Sequence, residues 1–223
     1  ETPTLNLAIF HNSTFTVGNW KLSAGLRIEY ESQKLDYYSN SDVTFDFNIK
    51  MSPAMALNYP DLKASPRFDD KMNHDYVQLL PKVSVLYQLS GSSNIYANVS
   101  KGHRSGGYNV QMFSDLVQGE MRNQMIASID EAGKGVVKKM LGDEAYKNLT
   151  TQGDVNSVVY KPEYSWNYEI GTHLNLDDHR LQLDAAAFLI DTHDQQIARF
   201  APTGFGRMMV NAGKSRSYGT ELS

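Results

Sequence analysis

From Trp20 onward the chain alternates strictly. Trp20, Leu22, Ala24, Leu26, Ile28 and Tyr30 share one parity, and Lys21, Ser23, Gly25, Arg27, Glu29 and Glu31 share the other. A period of two held over about eleven residues predicts a strand with one apolar face. Just upstream, Leu5, Leu7, Ile9, Phe15 and Val17 alternate with polar or small residues, and only Gly18-Asn19 separates the two runs. That spacing predicts a hairpin closed by a tight turn.

The same pattern returns three times. Leu79, Pro81, Val83, Val85, Tyr87 and Leu89 lead, with Leu86 as an exception, into the turn cluster Ser90-Gly91-Ser92-Ser93-Asn94, after which Ile95, Ala97 and Val99 restart a strand. Tyr164, Trp166, Tyr168, Ile170, Leu174 and Leu176 pass through Asp177-Asp178-His179-Arg180 into Leu181, Leu183, Ala185, Ala187 and Leu189. A last run holds Tyr218 and Leu222 opposite Gly219 and Glu221. About seven antiparallel strands are predicted.

Longer segments near 39–75, 105–162 and 198–208 take turns with the tight turns near 18, 92 and 178. Successive antiparallel connections emerge at opposite ends of the strands, so every long segment falls at one end. Outer-membrane barrels have this asymmetry, with long outside loops and short periplasmic turns. A soluble β-sandwich also alternates faces, but its loops need not sort by length. Trp20, Tyr30, Tyr87, Tyr164 and Trp166 sit toward the ends of their runs, where interfacial aromatic girdles belong. The opposite set, Arg27, Glu29, Glu31, Lys82 and Glu169, suits a wet or plugged lumen.

Between Leu116 and Leu149 the grammar changes. Met121, Met125, Ile129, Ala132, Val136 and Met140 recur every three or four residues, which predicts an amphipathic helical insertion over 110–150, broken at Gly133 and Gly135. The segment with Tyr59-Pro60 and Ser65-Pro66 reads as irregular, apart from continuation of its flanking strands. The fold class predicted is all-β: an open, curved segment of an antiparallel up-and-down transmembrane barrel, with a helical insertion in a long extracellular loop.

Composition narrows the picture without naming a chemistry. A formal charge of -4 in 223 residues offers no basic field for nucleic acid. The absence of cysteine removes disulfides, thiolate metal sites and a cysteine nucleophile. The mean hydropathy of -0.45 is compatible with membrane strands, whose two faces cancel in any average, and no run reaches the roughly 18 apolar residues of a membrane helix. No basic and then apolar leader stands at Glu1, and the chain closes at Ser223 within a strand pattern, so an interior piece of a larger barrel is expected.

Six histidines are scattered without the spacing of a metal site, so none is assigned. Met51, Met55, Met72 and His74 suggest soft-metal capture less than loop methionines covering a neighbouring loop. Ala132-Gly133-Lys134-Gly135 lacks the spacing and the following Ser or Thr of a phosphate loop. Three Asn-X-Ser/Thr triplets, at Asn12, Asn98 and Asn148, carry no meaning in a bacterial barrel. No nucleophile pairs with a base, so no enzyme and no cofactor are predicted.

Leu80-Pro81-Lys82 followed by Tyr96-Ala97-Asn98-Val99-Ser100-Lys101-Gly102-His103-Arg104-Ser105-Gly106-Gly107-Tyr108-Asn109 resembles the strand-to-loop signature of TonB-dependent receptors. Tyr160-Lys161-Pro162-Glu163 through Trp166-Asn167-Tyr168-Glu169-Ile170-Gly171 resembles the next signature. Asn211-Ala212-Gly213 with Tyr218-Gly219-Thr220-Glu221-Leu222 resembles the one after. His103 departs from the aromatic usual at its place. The glycines at 102, 106 and 107 let a strand bend away at the rim.

The resemblance implies an outer-membrane receptor of about 22 strands. It implies an N-terminal plug, energy from the TonB-ExbB-ExbD system, and uptake of a ferric siderophore or other iron complex. Glu169 and Glu221 would then face the plug, and the candidate ligand contacts are Arg104 and Asn109 at the rim with Arg27 and Glu29 in the lumen. Outer-membrane lipid would surround the wall. Two other readings stay open: a passive porin-like channel sharing the wall, and a soluble β-domain binding surfaces as an adhesin or lectin does.

Overall fold

The computed structural model describes residues 2–52, 55–151, 153–176, 181–200 and 207–223. In chain order the elements are β1 (Thr4–Val17), β2 (Trp20–Asn40), β3 (Val43–Ser52), β4 (Met55–Ala64), β5 (Arg67–Gln88), β6 (Asn94–Arg104) and β7 (Gly107–Tyr108). Three helices follow, α1 (Met112–Ala132), α2 (Val136–Leu141) and α3 (Asp143–Thr150). The chain continues with β8 (Val159–Tyr160), β9 (Glu163–Leu176), β10 (Leu181–His193), β11 (Gln196–Phe200), β12 (Arg207–Asn211) and β13 (Lys214–Leu222).

Among the described residues one seven-stranded antiparallel sheet runs β1-β2-β5-β6-β9-β10-β13, and both outer strands pair on one side only. These are the seven strands the alternation predicts. The sheet stays open, with unpaired edges at β1 and β13. Gly18 closes the first hairpin at φ 56°, a left-handed conformation that costs glycine nothing. The turn expected near 178 lies outside the described residues.

The outer face is apolar and bare. Leu22, Leu26, Ile28 and Tyr30 of β2, Leu79 and Val83 of β5, Ile95 and Val99 of β6, and Tyr168 and Ile170 of β9 are all exposed. Among the described residues no second layer covers this row, which contradicts a sandwich, where it would be the core. Trp20 and Tyr87 are paired across β2 and β5, with ring centroids 4.7 Å apart, at the tight-turn end of the belt.

Three expectations are corrected. The segment 39–75 is not irregular: β2 and β5 stay in register from Trp20↔Tyr87 to Asn40↔Arg67, and β3 and β4 form a further hairpin. At about 3.3 Å per residue the 21 residues of β2 extend roughly 70 Å, far beyond an apolar band about 25 Å tall. Above Tyr30 the outward parity turns polar, with Lys34 and Asp36 exposed and Ser32 buried against Asn73, its hydroxyl 3.3 Å from Asn73 Oδ1, so the pattern that marks a strand in hydrocarbon ends while the backbone pairing continues. Pro60, which has no N–H to give, sits at the register shift of the β3-β4 hairpin, where Asp61 N donates to Asp46 Oδ1 at 2.9 Å.

Second, the segment 198–208 contains parts of the paired strands β11 and β12. Third, the apolar stripe of the insertion is displaced. The helices do break at Gly133 to Gly135, where Lys134 and Gly135 take positive φ, but the buried side of α1 is Met112, Phe113, Leu116 and Val117. Met140, expected on the stripe, is 61% exposed. The first turns of α1 pack on the seven-stranded sheet, while its later turns meet the end of β4, where Ser65 N donates to Gln124 Oε1 at 2.8 Å and Ser128 Oγ to Lys63 O at 2.7 Å.

Candidate functional site

The inner face of β2 carries a polar row. Glu29 and Glu31 are 5% and 3% exposed, against 65% for the outward Val77 one strand away. Glu29 Oε2 accepts from Arg27 Nε at 2.8 Å and Oε1 from Asn6 Nδ2 at 2.6 Å. The ring of His103 approaches the same carboxylate, with Nε2 3.7 Å from Oε1. Glu31 Oε1 accepts from Gln33 Nε2, and its Oε2 has no partner among the described residues.

His103 reaches Glu29 because the sheet parts. β5 and β6 pair only from Lys82↔Ser100 to Gln88↔Asn94, while β6 stays paired with β9 up to Arg104↔Glu163. By alternation His103 belongs to the outer face of β6 and Glu29 to the inner face of β2. Their contact places the upper end of β6 across the inner face of the β2-β5 ribbon.

The crossing is tied down by buried polar groups. Gln33 Nε2 donates to Gly106 O at 3.0 Å, and the Tyr108 hydroxyl donates to Gln33 O at 2.8 Å while lying 3.2 Å from His74 Nδ1. Burial raises the Tyr108 phenol above its ordinary pKa, and Tyr76 and Asp75 add to the effect. A Cβ on Gly106 would stand 2.5 Å from Tyr160 O, which is why glycine is needed there.

Asn109 Nδ2 donates to Met209 O at 2.8 Å and its Oδ1 accepts from Met209 N at 2.7 Å, as one strand residue does with another. Asn211 repeats the device on Lys161, donating to its carbonyl at 2.9 Å and accepting from its N–H at 2.8 Å. Gln196 Nε2 donates to Ser105 O at 2.8 Å and its N–H donates to Glu163 Oε2 at 2.6 Å.

Above the polar row the inner face turns apolar. Leu35 and Phe68, with Tyr37 and Met72 beside them, pack against Met112, Phe113, Leu116 and Val117 of α1, Val158, and Met208 of β12. The Tyr37 and Phe113 rings lie 4.5 Å apart. Burial raises the Tyr37 phenol, and the negative charges of Asp70 and Asp69 raise it further. The insertion is therefore folded inward over the mouth of the wall.

The residues at 2–223 match the family model described as TonB dependent receptor-like, beta-barrel. The chain belongs to the TonB-dependent receptor β-barrel family. The ferric yersiniabactin uptake receptor FyuA from Yersinia pestis shares the fold, with TM-score 0.55 and 20% identity over 99% of this chain and 24% of that one. The copper transporter OprC aligns with TM-score 0.55 and 17% identity over 99% of this chain and 26% of its own. The hemophore receptor HasR of Serratia marcescens, solved with its hemophore HasA and heme, gives 0.54 and 16% over 97% and 31%. The chain thus spans about a quarter to a third of the length of these structures. No curated protein sequence matches it.

Within this outer-membrane receptor wall the four expected contact residues occupy different settings. Arg27 and Glu29 adjoin on the lumen face, Arg104 is exposed where β6 ends, and Asn109 is buried with its amide engaged by Met209. Glu169, also on the inner face, accepts from the Tyr96 hydroxyl at 2.8 Å. Gln33, Gln196 and Tyr108 hold the receptor's rim together and carry no periodic or motif signal of their own beyond the resemblance at Tyr108. The methionines of the long segment divide. Met72 packs against the inner apolar cluster, and the side chains of Met51 and Met55 lie outside the described residues.

Proposed function

We propose that this wall belongs to an importer that captures a scarce iron complex, such as a ferric siderophore, at its extracellular mouth and moves it inward with energy from the TonB-ExbB-ExbD system through a plug. The observation that carries the proposal is the mouth itself: long connections gather at one end of a family barrel wall, and one of them is folded inward on its own apolar core above a polar lumen face. A preorganised mouth lowers the ordering cost that a loose loop would pay on capturing a ligand.

In this reading Arg27, held by the buried Glu29, presents charge to the lumen, and Arg104 offers an exposed guanidinium at the rim. Asn109 acts as a positioning residue that fixes the backbone around it. The relatives differ in what their names say they carry, iron complexes in one case and copper in another, so the ligand follows from loops and not from the shared wall. The test is uptake of radiolabelled ferric complexes by iron-starved cells carrying the intact receptor gene, with and without a protonophore. Energy-dependent uptake supports the proposal; uptake that the protonophore leaves unchanged points to a passive pore.

A further inference from the structure

Where β5 and β6 part, a cleft of about 670 Å³ opens between the inner face of β5 and the outer face of the upper β6-β9 segment. We infer that this cleft binds a phosphate-type dianion, held between Lys101 and Lys161. Both lysines line it, and among the described residues neither forms an ion pair with a carboxylate. Lys101 Nζ is held over the Tyr164 ring, 4.7 Å from its centroid, and Tyr164 is itself stacked on His193 with centroids 5.0 Å apart. The ammonium is thereby positioned without being neutralised.

The remaining polar lining agrees with an anion. Tyr76, His74 and Asn156 bring groups able to donate, and among the described residues Asp194 is the one carboxylate on the cleft wall. Two ammonium groups against one carboxylate leave a net positive site. Lysine, a point charge on a flexible stem, serves phosphate well, and a phosphate monoester at pH 7 carries between one and a half and two negative charges with three acceptor oxygens.

The height of the cleft allows two sources for that group. Gln78 lies on its wall, next to Val77, which pairs with Tyr30 at the upper limit of the bare apolar belt. Phosphorylated lipid headgroups of the outer leaflet lie at this level, and a free phosphate ester has access from the mouth. The inference is independent of which nutrient the wall carries.

The experiment uses the intact receptor in lipid-free detergent micelles and in nanodiscs. Titration calorimetry with inorganic phosphate reads the free anion, and native mass spectrometry compares retention of bis-phosphorylated and dephosphorylated lipid A. The expected result is saturable binding of at least one phosphorylated probe, weakened about tenfold or more in the Lys101→Met/Lys161→Met double variant and unchanged in Lys21→Met. Selective retention of phosphorylated lipid A assigns the lipid source, and phosphate binding without that selectivity assigns the free one. No saturable binding of either probe, or equal binding by the double variant, overturns the inference. Should the double variant fail to fold, acetylation footprinting of the unaltered receptor decides: phosphate must slow acetylation of Lys101 and Lys161 relative to Lys21, and equal rates overturn it.

Discussion

The Asn109 side chain and the Met209 backbone exchange a pair of hydrogen bonds across 100 positions of sequence, at 2.8 and 2.7 Å. A side-chain amide here substitutes for a strand, giving and taking as a backbone peptide would. Replacing it with alanine strands a partly buried N–H and a partly buried carbonyl, each at a cost of about 1 kcal/mol. In Asn109→Ala we expect the Met209 amide to exchange hydrogen orders of magnitude faster while β2 and β9 keep their protection. Asn109→Asp keeps the acceptor and loses the donor, so its exchange falls between the two. Hydrogen exchange with mass spectrometry makes the comparison.

Phe113 joins the insertion to the ribbon, its ring tilted 30° to that of Tyr37 and edge-on to Phe68. Phe113→Ala removes a buried aromatic, a loss of about 3–5 kcal/mol in a packed core. The loss falls on the insertion and not on the ladder, because the seven-stranded sheet is held by its own backbone pairing. Limited proteolysis should therefore cut within α1 in the variant, while the heat-modifiable mobility of the barrel on a gel stays as it was.

Tyr37 provides a pH readout at the same place. Its phenol is raised above the ordinary 10.0 by burial and then by Asp70 and Asp69, so the folded state holds the proton more tightly than the unfolded chain does. The stabilisation is complete below pH 10 and disappears as pH climbs through the raised value. Above pH 10 the protease sensitivity of α1 should rise in the parent protein more than in Tyr37→Phe. Equal rises in both would remove Tyr37 as the cause.

The bare face from Trp20 to Tyr30 was legible because hydrocarbon imposes one polarity on every second residue. Higher up the same rule hides the strand. Once β2 leaves the band, Ser32, Lys34 and Asp36 point outward, and the apolar residues Leu35 and Tyr37 move to the inner parity where α1 covers them. The phase of the alternation inverts, and read without its partner the segment looks like a polar loop. The insertion's helical character was legible from spacing, but its contact face was not, because the ribbon that buries Phe113 and Leu116 is remote in sequence. Gln33 and Gln196 reach carbonyls 73 and 91 positions away, and a single polar residue with a distant backbone partner leaves no local pattern.

The central claim is that the outward parity of β2 meets hydrocarbon up to Tyr30 and water above it. A nitroxide scan of positions 20–40 in the intact receptor, reconstituted in bilayers and read by power saturation with oxygen and a water-soluble nickel chelate, tests it directly. Positions 22, 24, 26 and 28 should be open to oxygen and closed to nickel, positions 34 and 36 open to nickel, and positions 35 and 37 closed to both. If 22 to 28 are instead closed to both reagents, those side chains are packed inside protein and the membrane wall is contradicted.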